Sequence, residues 1–288
     1  MSYTIRLGIP SNERLLKKTL DLLHSAEIPI QHKSRFYQGR GERWSRLEVF
    51  FLRSRDIVRF IDAGSLDMGI STEEILDEAE SQVRVICPLD FSHSKIVVAS
   101  QKYSTLAELS GKIVATSYYN ITKKYFKEQG IQNIRVLPAQ GTVEAFPLLN
   151  LSDAIVDLVE TGDTLKANNL DVLAEVRSQQ AVLIARPDLS HEQEKDLKFI
   201  QKSLEGTLKA KNHRRVRCSL PSSSESMQSF YTVMEKYAPA IVDVRNIETN
   251  RYEFVCHVNT VSKLMRSMYD RIPDVEIELY PIALLFGK

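Results

Sequence analysis

The sequence predicts an α/β protein with two α/β lobes and a C-terminal domain of the order βαββαβ. Through residues 1–181, short apolar runs typical of strands alternate with amphipathic segments typical of helices. This alternation indicates mostly parallel sheets covered by helices. After residue 211 the order becomes strand, helix, strand, strand, helix, strand, which is the order of a ferredoxin-like module. A chain of 288 residues is long enough to bury a separate core in each part.

The first lobe is predicted to begin with a strand over residues 4–10. An amphipathic helix follows over 12–28, where leucines recur at helical spacing opposite charged residues. A second strand over 46–53 leads into a helix that ends at Gly64, because glycine commonly closes a helix. A further strand is expected over 66–70.

A second lobe is expected to begin near residue 100, because residues 107–126 read as the opening of a new α/β unit. Residues 182–211 are expected to return to the first domain as a strand and a long helix. The C-terminal domain follows that helix. The predicted domains are residues 1–100, residues 101–181 and residues 212–288.

Composition and charge argue against several classes of protein. The net charge is +1, which gives no electrostatic reason to expect nucleic acid or an anionic membrane as a partner. No apolar run approaches the roughly 20 residues that span a bilayer, and the N-terminal residues lack the pattern of a signal peptide. The cysteines are far apart and are expected to be buried thiols in a reducing compartment, the cytoplasm. These are Cys87, Cys218 and Cys256.

A turn between a predicted strand and a predicted helix is the strongest local signal. The strand is expected to end near Val159 and the helix to begin near Thr164. The turn directs backbone N–H groups outward at the positive end of a helix, where a phosphate binds well. Gly162 allows backbone angles and a close approach that other residues resist. The acidic residues Glu160 and Asp163 suit the hydroxyls of a sugar that carries the phosphate, and an ordinary capped turn is the alternative.

Residues 141–165, GTVEAFPLLNLSDAIVDLVETGDTL, resemble the signature of the ATP phosphoribosyltransferases. The one departure is Asn150, which stands where the family has glycine. Residues 47–70 and 111–131 are similar to segments of the family's first and second domains. The resemblance implies two lobes like those of periplasmic binding proteins, followed by the ferredoxin-like regulatory domain of the family's long form. The matching signature positions are Glu144, Ser152, Ile155 and residues 157–165.

This resemblance implies transfer of a phosphoribosyl group from phosphoribosyl pyrophosphate to N1 of the adenine of ATP. Pyrophosphate is released, Mg²⁺ is the implied cofactor, and the reaction is the first step of histidine biosynthesis. The reaction is a displacement at an anomeric carbon, so catalysis depends on positioning and on neutralising the leaving pyrophosphate.

The family's functional positions map onto individual residues of this chain. The implied catalytic residues are Glu144, Asp153 and Asp157, with Glu144 and Asp153 as candidates for ordering Mg²⁺ or the sugar. The residues implied to bind phosphoribosyl pyrophosphate are Asp157 and Glu160 near the ribose, and Thr161, Gly162, Asp163, Thr164 and Leu165 around the 5′-phosphate. The residues implied to line the ATP cleft are Arg53, Asp67, Gly69 and Tyr118.

Each of these positions also has a purely structural interpretation. Asp153 and Asp157 are also compatible with polar residues at the ends of a strand. Arg53 suits a surface ion pair, and Asp67 with Gly69 suits a tight turn at the entry of a strand. Tyr118 suits packing at a domain edge.

Several departures from the family lie on the first-lobe side of the cleft. Asn12 and Glu13 stand where the family commonly has a Lys-Gly pair, so a cation for phosphate is missing there. Glu73 is expected to repel a triphosphate, and Asp90 with Ser92 replaces a glycine-rich turn. We therefore expect the sugar-phosphate site to be better preserved than the ATP site.

The resemblance also implies histidine as a feedback inhibitor and a homo-oligomer, either a dimer or a hexamer. Glu276 stands where small residues usually occur, and it either binds the histidine amino group or fills the pocket and abolishes regulation. The main alternative function is a non-catalytic paralogue that binds phosphoribosyl pyrophosphate or a nucleotide as a sensor or regulatory subunit. Solute-binding proteins and regulator effector domains share the two-lobed plan, but no signal peptide or helix-turn-helix precedes the first strand.

Overall fold

The computed structural model describes residues 3–32 and 37–282. Its contacts divide the chain into one unit of Met1–His24 with Ile28–Gln201 and another of Ser25–Glu27 with Lys202–Lys288. The strands are β1 Ile5–Pro10, β2 Ile30–Gln31, β3 Gln38–Gly41, β4 Leu47–Leu52, β5 Met68–Thr72, β6 Arg84–Pro88, β7 Ser94–Ser100, β8 Ile113–Thr116, β9 Arg135–Pro138, β10 Ala154–Val159, β11 Asp171–Gln179, β12 Ala181–Ala185, β13 His213–Ser219, β14 Ile241–Glu248, β15 Arg251–His257 and β16 Glu276–Pro281. The helices are α1 Glu13–Ser25, α2 Ser54–Asp62, α3 Glu73–Glu78, α4 Tyr119–Glu128, α5 Ala145–Leu148, α6 Asp163–Ala167, α7 His191–Lys211, α8 Ser224–Tyr237 and α9 Val258–Arg271.

The first lobe is built on a sheet with the strand order β2-β3-β4-β1-β5-β12-β6. Strands β1, β4 and β5 are parallel, so their carboxyl ends at Pro10, Leu52 and Thr72 lie at one edge of the sheet. Strand β12 returns antiparallel between β5 and β6, and its side chains are all buried. The residues that follow the carboxyl ends therefore lie side by side.

The second lobe is built on a sheet with the order β11-β7-β10-β8-β9. Strand β10 runs parallel to β8 and antiparallel to β7, with Val159 opposite Lys95. The chain thus enters the second sheet at Ser94, ahead of the boundary predicted near residue 100. The carboxyl ends of β8 and β10 share an edge, from which the loop after Thr116 and the turn after Val159 project.

The C-terminal unit contains an antiparallel sheet with the order β14-β15-β13-β16. Helices α8 and α9 cover one face, where Phe230, Phe254 and Leu264 form the centre of a buried cluster. Together with the element order βαββαβ, this sheet confirms the predicted ferredoxin-like architecture. The predicted fold class is therefore confirmed. The expectation of mostly parallel sheets is wrong, because the returning and edge strands pair antiparallel: among the described residues, only two of the six strand pairs in the first sheet and two of the four in the second are parallel.

The three cysteines are buried thiols outside any disulfide, as predicted. Burial raises the pKa of Cys218 to about 12, so this thiol stays protonated at neutral pH. Within residues 3–32 and 37–282, no helix is long and apolar enough to cross a membrane.

Candidate functional site

A cavity of about 310 Å³ lies at the carboxyl end of β10. The turn at residues 160–165 forms much of its wall, together with side chains from both lobes. The lining residues are Arg14, Glu144, Asp157, Leu158, Val159, Glu160, Thr161, Gly162, Asp163, Thr164 and Leu165. All of the residues implied to bind phosphoribosyl pyrophosphate line this one cavity, and so does Glu144.

The 160–165 turn has the backbone geometry that the sequence indicates. Strand β10 ends at Val159 as predicted, and α6 begins at Asp163, one residue before the expected start. Gly162 adopts a left-handed conformation with φ 83°, which a side chain would strain. The Thr161 hydroxyl donates a hydrogen bond of 2.7 Å to Asp163 Oδ2. Amides in the first turn of a helix have no partner inside that helix, so they can donate to an anion in the cavity.

Arg14 is a cation in this cavity that the sequence analysis missed. It lies in the first turn of α1, just beyond the carboxyl end of β1, and forms an ion pair with Glu160 of the second lobe. Its side chain is 61% exposed, so the guanidinium remains accessible to a ligand. Asn12 accepts a hydrogen bond of 2.9 Å from the Leu15 amide and thereby caps α1. Arg14, the next residue along the chain after Glu13, thus places a cation at this cavity.

Asp157 is the most strongly perturbed carboxyl group of the cavity. Burial raises the pKa of Asp157 to about 6, and the nearby negative charge of Glu144 raises it further. Burial also raises the pKa of the Tyr118 hydroxyl, with added contributions from Glu74 and Asp157. Tyr118 therefore lies in the electrostatic field of Asp157 and remains a neutral hydrogen-bond donor at physiological pH.

The raised pKa of Asp157 predicts a specific dependence of stability on pH. Between the ordinary pKa of 3.8 and about 6, the folded protein retains a proton that the unfolded chain releases. Wild-type protein should therefore lose stability from this group as the pH rises through that range. The Asp157→Asn variant lacks this titration, so its unfolding free energy relative to wild type should rise by up to about 3 kcal/mol.

Urea denaturation of both proteins at several pH values measures this difference. The difference should grow as the pH rises toward neutrality, because only the wild-type protein then carries a buried charge at residue 157. A difference that is constant over the whole range would contradict the raised pKa of Asp157.

Asp153 lies at the other end of β10 and does not line the cavity. Its carboxylate accepts a hydrogen bond of 3.0 Å from the Ile113 amide, and its backbone carbonyl accepts one of 2.8 Å from the Ser100 hydroxyl. Six residues of strand separate it from the turn, about 20 Å at the usual rise. This position corrects the expectation of a catalytic Asp153, because these bonds fasten the amino end of β10 to its neighbours.

Asp67, implied to line the ATP cleft, is a buried structural carboxylate. It lies at the amino end of β5, away from the edge that carries the site. Its oxygens accept hydrogen bonds of 2.8 Å from the Arg6 amide and 2.9 Å from Gln193 Nε2. An ion pair of 3.1 Å to Arg186 completes the set. Because these groups engage both oxygens, the structural interpretation of Asp67 replaces the ATP-binding one.

Gly69 also has a packing role rather than a place in the cleft. It lies inside β5 beside Gly8 of β1. The two glycines have no side chains, so α2 packs closely against this part of the sheet. A Cβ added at Gly69 would overlap Ile57 Cγ2 and lie 3.1 Å from Ile61 Cδ1. Only glycine fits at this depth under α2.

Replacing Gly69 with alanine should therefore lower the unfolding free energy by about 1–3 kcal/mol, as overpacking of a core does. In an Ile57→Ala background the overlapping methyl group is absent, so the same substitution should cost less. Urea denaturation of the four proteins in this cycle measures the coupling. Equal costs in the two backgrounds would contradict the packing role.

Arg53 and Tyr118 are the two ATP candidates that lie at the edges bearing the site. Arg53 follows the carboxyl end of β4 and is exposed, and its backbone carbonyl accepts hydrogen bonds from the amides of Asp56 and Ile57 in α2. Tyr118 precedes α4 and donates its amide to Thr116 Oγ1 at 2.9 Å. Arg55 joins the two edges, because its guanidinium donates to the Ser117 carbonyl at 3.1 Å. These residues form a polar strip between the lobes.

The remaining departures from the family have local structural explanations. The Glu73 carboxylate accepts a hydrogen bond of 3.1 Å from the Gln180 amide. This bond stabilises the connection between β11 and β12. Asp90 and Ser92 both adopt left-handed angles, with φ 54° and 60°, where the family has glycines. Asn150 does the same with φ 56°, and asparagine tolerates this region better than most residues. These three residues therefore adopt backbone angles that glycine adopts more readily.

Comparison with known proteins places this geometry in a family context. The family model described as ATP phosphoribosyltransferase matches residues 53–206. The ATP phosphoribosyltransferase of Chelativorans sp. (strain BNC1) is 34% identical over 209 residues, covering 64% of this chain and 91% of that protein. The ATP phosphoribosyltransferase of Methanopyrus kandleri is 31% identical over 234 residues, covering 80% of this chain and 81% of that protein.

One solved structure is similar over most of this chain. It is the ATP phosphoribosyl transferase (HisG:HisZ) complex from Thermotoga maritima, with 28% sequence identity and a TM-score of 0.60. The match covers 70% of this chain and 99% of that chain. These similarities confirm the resemblance found in the 141–165 signature.

Proposed function

The chain belongs to the ATP phosphoribosyltransferase family, and from this premise we propose that the cavity at the 160–165 turn binds phosphoribosyl pyrophosphate. As a member of this family, the protein transfers a phosphoribosyl group to ATP in histidine biosynthesis. It is accordingly a transferase of the pentosyl type.

The 5′-phosphate is placed on the amides and hydroxyls of residues 161–165. The left-handed Gly162 and the first turn of α6 direct donors into the cavity, and the Thr164 hydroxyl adds a further donor. The Thr161 hydroxyl becomes a donor to the phosphate once it leaves Asp163. Asp157 and Glu160 line the same cavity and can accept hydrogen bonds from the ribose hydroxyls. The observation that carries this proposal is that the whole signature turn faces one cavity.

Arg14 is placed opposite the phosphate turn, where it supplies positive charge from the first lobe. In the structure this charge is balanced by Glu160. A phosphate or pyrophosphate group entering the cavity offers a more highly charged partner, and arginine binds such groups with two parallel hydrogen bonds. Neutralising the leaving pyrophosphate lowers the barrier to displacement at the anomeric carbon.

ATP is placed along the strip between the lobes, beside Arg53 and Tyr118. Arg53 is exposed at the edge that faces the second lobe and can pair with a phosphate group. Tyr118 is electrostatically coupled to Asp157, which lines the sugar cavity. This arrangement places the adenine acceptor next to the reacting sugar. Asp67 and Gly69 are excluded from the proposal by their structural roles.

Mg²⁺ is proposed to enter with phosphoribosyl pyrophosphate. Within the described ranges, no three His, Cys, Asp or Glu residues are grouped to hold a metal ion. Mg²⁺ commonly binds through one or two carboxylates together with substrate phosphates, and Glu144 and Asp157 supply carboxylates in the cavity. When bound, Mg²⁺ neutralises charge on the pyrophosphate. Calorimetry should show that Mg²⁺ tightens phosphoribosyl pyrophosphate binding less in Glu144→Gln than in wild type, and an equal gain would contradict this role.

The activity is tested with purified protein, ATP, Mg²⁺ and phosphoribosyl pyrophosphate. Phosphoribosyl-ATP should form, and its ultraviolet absorbance reports the rate. Thr161→Ala should lower kcat/KM for phosphoribosyl pyrophosphate by about tenfold, because one hydrogen bond to a charged group is lost. Binding of phosphoribosyl pyrophosphate without turnover would instead favour the sensor or regulatory subunit.

The C-terminal unit is proposed to bind histidine as a feedback inhibitor within a homo-oligomer in the cytoplasm. Glu276 lies exposed at the start of β16, opposite Ser219, rather than filling a buried cavity. This exposure favours the alternative in which its carboxylate meets the amino group of histidine. Calorimetric titration should detect histidine binding in wild type and weaker binding in Glu276→Ala. Equal affinity in both proteins would exclude this role for Glu276.

A further inference from the structure

The edge strand β14 of the C-terminal unit is open along one side. Among the described residues it pairs only with β15, since the sheet order is β14-β15-β13-β16. The strand spans eight residues, and all but the first are exposed. Such an edge presents unpaired N–H and C=O groups, which readily pair with another strand. Native proteins either protect such an edge with charges and bulges or cover it with another element.

Exposed apolar side chains accompany this open edge. Val242 is 64% exposed and Val244 is 46% exposed. Beside them lies a cavity of about 440 Å³ with a mainly apolar wall. It is lined by Tyr231, Met234, Glu235, Ala238, Ile241 and Val244. The edge therefore combines unsatisfied backbone groups with apolar surface.

The charges of β14 are arranged symmetrically about Val244. Asp243 precedes it and Arg245 follows it, and the two side chains share one face of the sheet, with an ion pair of 2.6 Å. The ladder with β15 is regular between Asp243 and Asn246, with a bulge on each side. The central segment is therefore short, regular and complementary to itself when reversed.

We propose that β14 pairs with β14 of a second copy of this chain, antiparallel, about a two-fold axis at Val244. In this register Val244 lies opposite Val244 of the second copy. Asp243 lies opposite Arg245 of the second copy, and Arg245 opposite its Asp243. The four charges then alternate in sign around a rectangle, and opposite charges on facing residues stabilise paired strands. The two four-stranded sheets become one continuous sheet of eight strands.

The same charges exclude the neighbouring registers. Moving the axis by one residue toward the N-terminus places Asp243 opposite Asp243 of the second copy. Moving it by one residue the other way places Arg245 opposite Arg245. Like charges directly opposite each other destabilise paired strands. Of these three registers, only the one centred on Val244 places opposite charges on facing residues. The proposal is independent of the catalytic assignment, because it involves only the C-terminal sheet.

A disulfide cross-link tests this register in the full-length protein. Facing residues in antiparallel strands have Cβ atoms about 4.5–5.5 Å apart, close enough for oxidation of introduced cysteines with small adjustments. Val244→Cys should form a covalent dimer under mild oxidation, seen on a non-reducing gel. Val242→Cys is the matched control, because it faces Asn246 of the second copy. The natural cysteines are buried and should contribute no background.

A charge exchange tests the pairing of Asp243 with Arg245 in the Val244→Cys background. Asp243→Arg alone or Arg245→Asp alone should slow cross-linking at least about fivefold, because like charges then face each other. The double exchange restores opposite charges across the axis and should restore the rate. A Val244→Cys protein that remains uncrosslinked would overturn the proposal. Equal cross-linking of Val242→Cys, or no rescue by the double exchange, would overturn it as well.

Discussion

Gly162→Val is expected to lower kcat/KM for phosphoribosyl pyrophosphate by about 10²- to 10³-fold. Gly162 has φ 83°, a conformation that a β-branched residue adopts only with strain. Relief of this strain would rotate the peptide groups on both sides of Gly162 and turn their N–H groups away from the cavity. Steady-state kinetics with varied phosphoribosyl pyrophosphate measure the loss. Binding should weaken in parallel, because the same amides hold the phosphate in the ground state.

Gly130→Val is the matched control for backbone strain. Gly130 has φ 68° in the turn after α4, and, as at Gly162, an added Cβ would meet no close neighbour. It lies about 15 Å along α4 from the end that carries Tyr118. The control should lose comparable stability but keep its affinity for phosphoribosyl pyrophosphate. If both variants lost activity to the same extent, the effect of Gly162→Val would be one of folding rather than of phosphate binding.

Arg14→Ala is expected to lower kcat by about 10²-fold, with a smaller change in the affinity for ATP. Arg14 supplies positive charge to the cavity wall opposite the 160–165 turn, and its removal also leaves Glu160 without its ion-pair partner. The leaving pyrophosphate would then meet lining residues that, in the described part of the chain, include four carboxylates and no cation. Arg14→Lys should recover part of the loss, since the charge returns without the bidentate geometry.

Arg59→Ala is the control for the loss of an arginine. Arg59 is exposed on α2 and paired with Asp56 at 3.9 Å, and it does not line the cavity. Its removal should leave kcat within about twofold of wild type, because surface ion pairs contribute little. An Arg14→Ala enzyme with wild-type kcat would remove Arg14 from the proposed mechanism.

The turn at residues 160–165 could be predicted from the sequence because its geometry is local. An apolar run that ends at Val159, a glycine three residues later and a helix-prone segment together determine a strand, a left-handed residue and a helix start. The same reasoning explains Asn150, whose left-handed φ of 56° accounts for the glycine found there in the family. Backbone conformations that depend on neighbouring residues can therefore be predicted from the residue types at those positions.

Arg14 could not be predicted in the same way, because its partner lies 146 positions away. Asn12 and Glu13 stand where the resemblance places a Lys-Gly pair, and neither is a cation. Which residue of a helix's first turn points across a cleft depends on how the two lobes pack. One usable signal was present, namely an arginine directly after the carboxyl end of a parallel strand.

Asp67 and Glu73 show the opposite limitation. From the sequence we expect Asp67 to line the ATP cleft and Glu73 to repel a triphosphate. In the structure each carboxylate instead bonds to a group that is distant in the sequence. Arg186 follows β12, and the amide of Gln180 precedes it. Because β12 inserts between β5 and β6, these partners come close to the two carboxylates only when the sheet forms. A single sequence does not distinguish a carboxylate that binds substrate from one that fastens a returning strand.

The most direct test of the central claim is a crystal structure of the protein with phosphoribosyl pyrophosphate. The terminal phosphate should lie within hydrogen-bond distance of the amides around Gly162, with Arg14 turned toward the pyrophosphate. A bound sugar whose phosphate lies elsewhere in the first unit, with the 160–165 turn unoccupied, would contradict the assignment of this cavity.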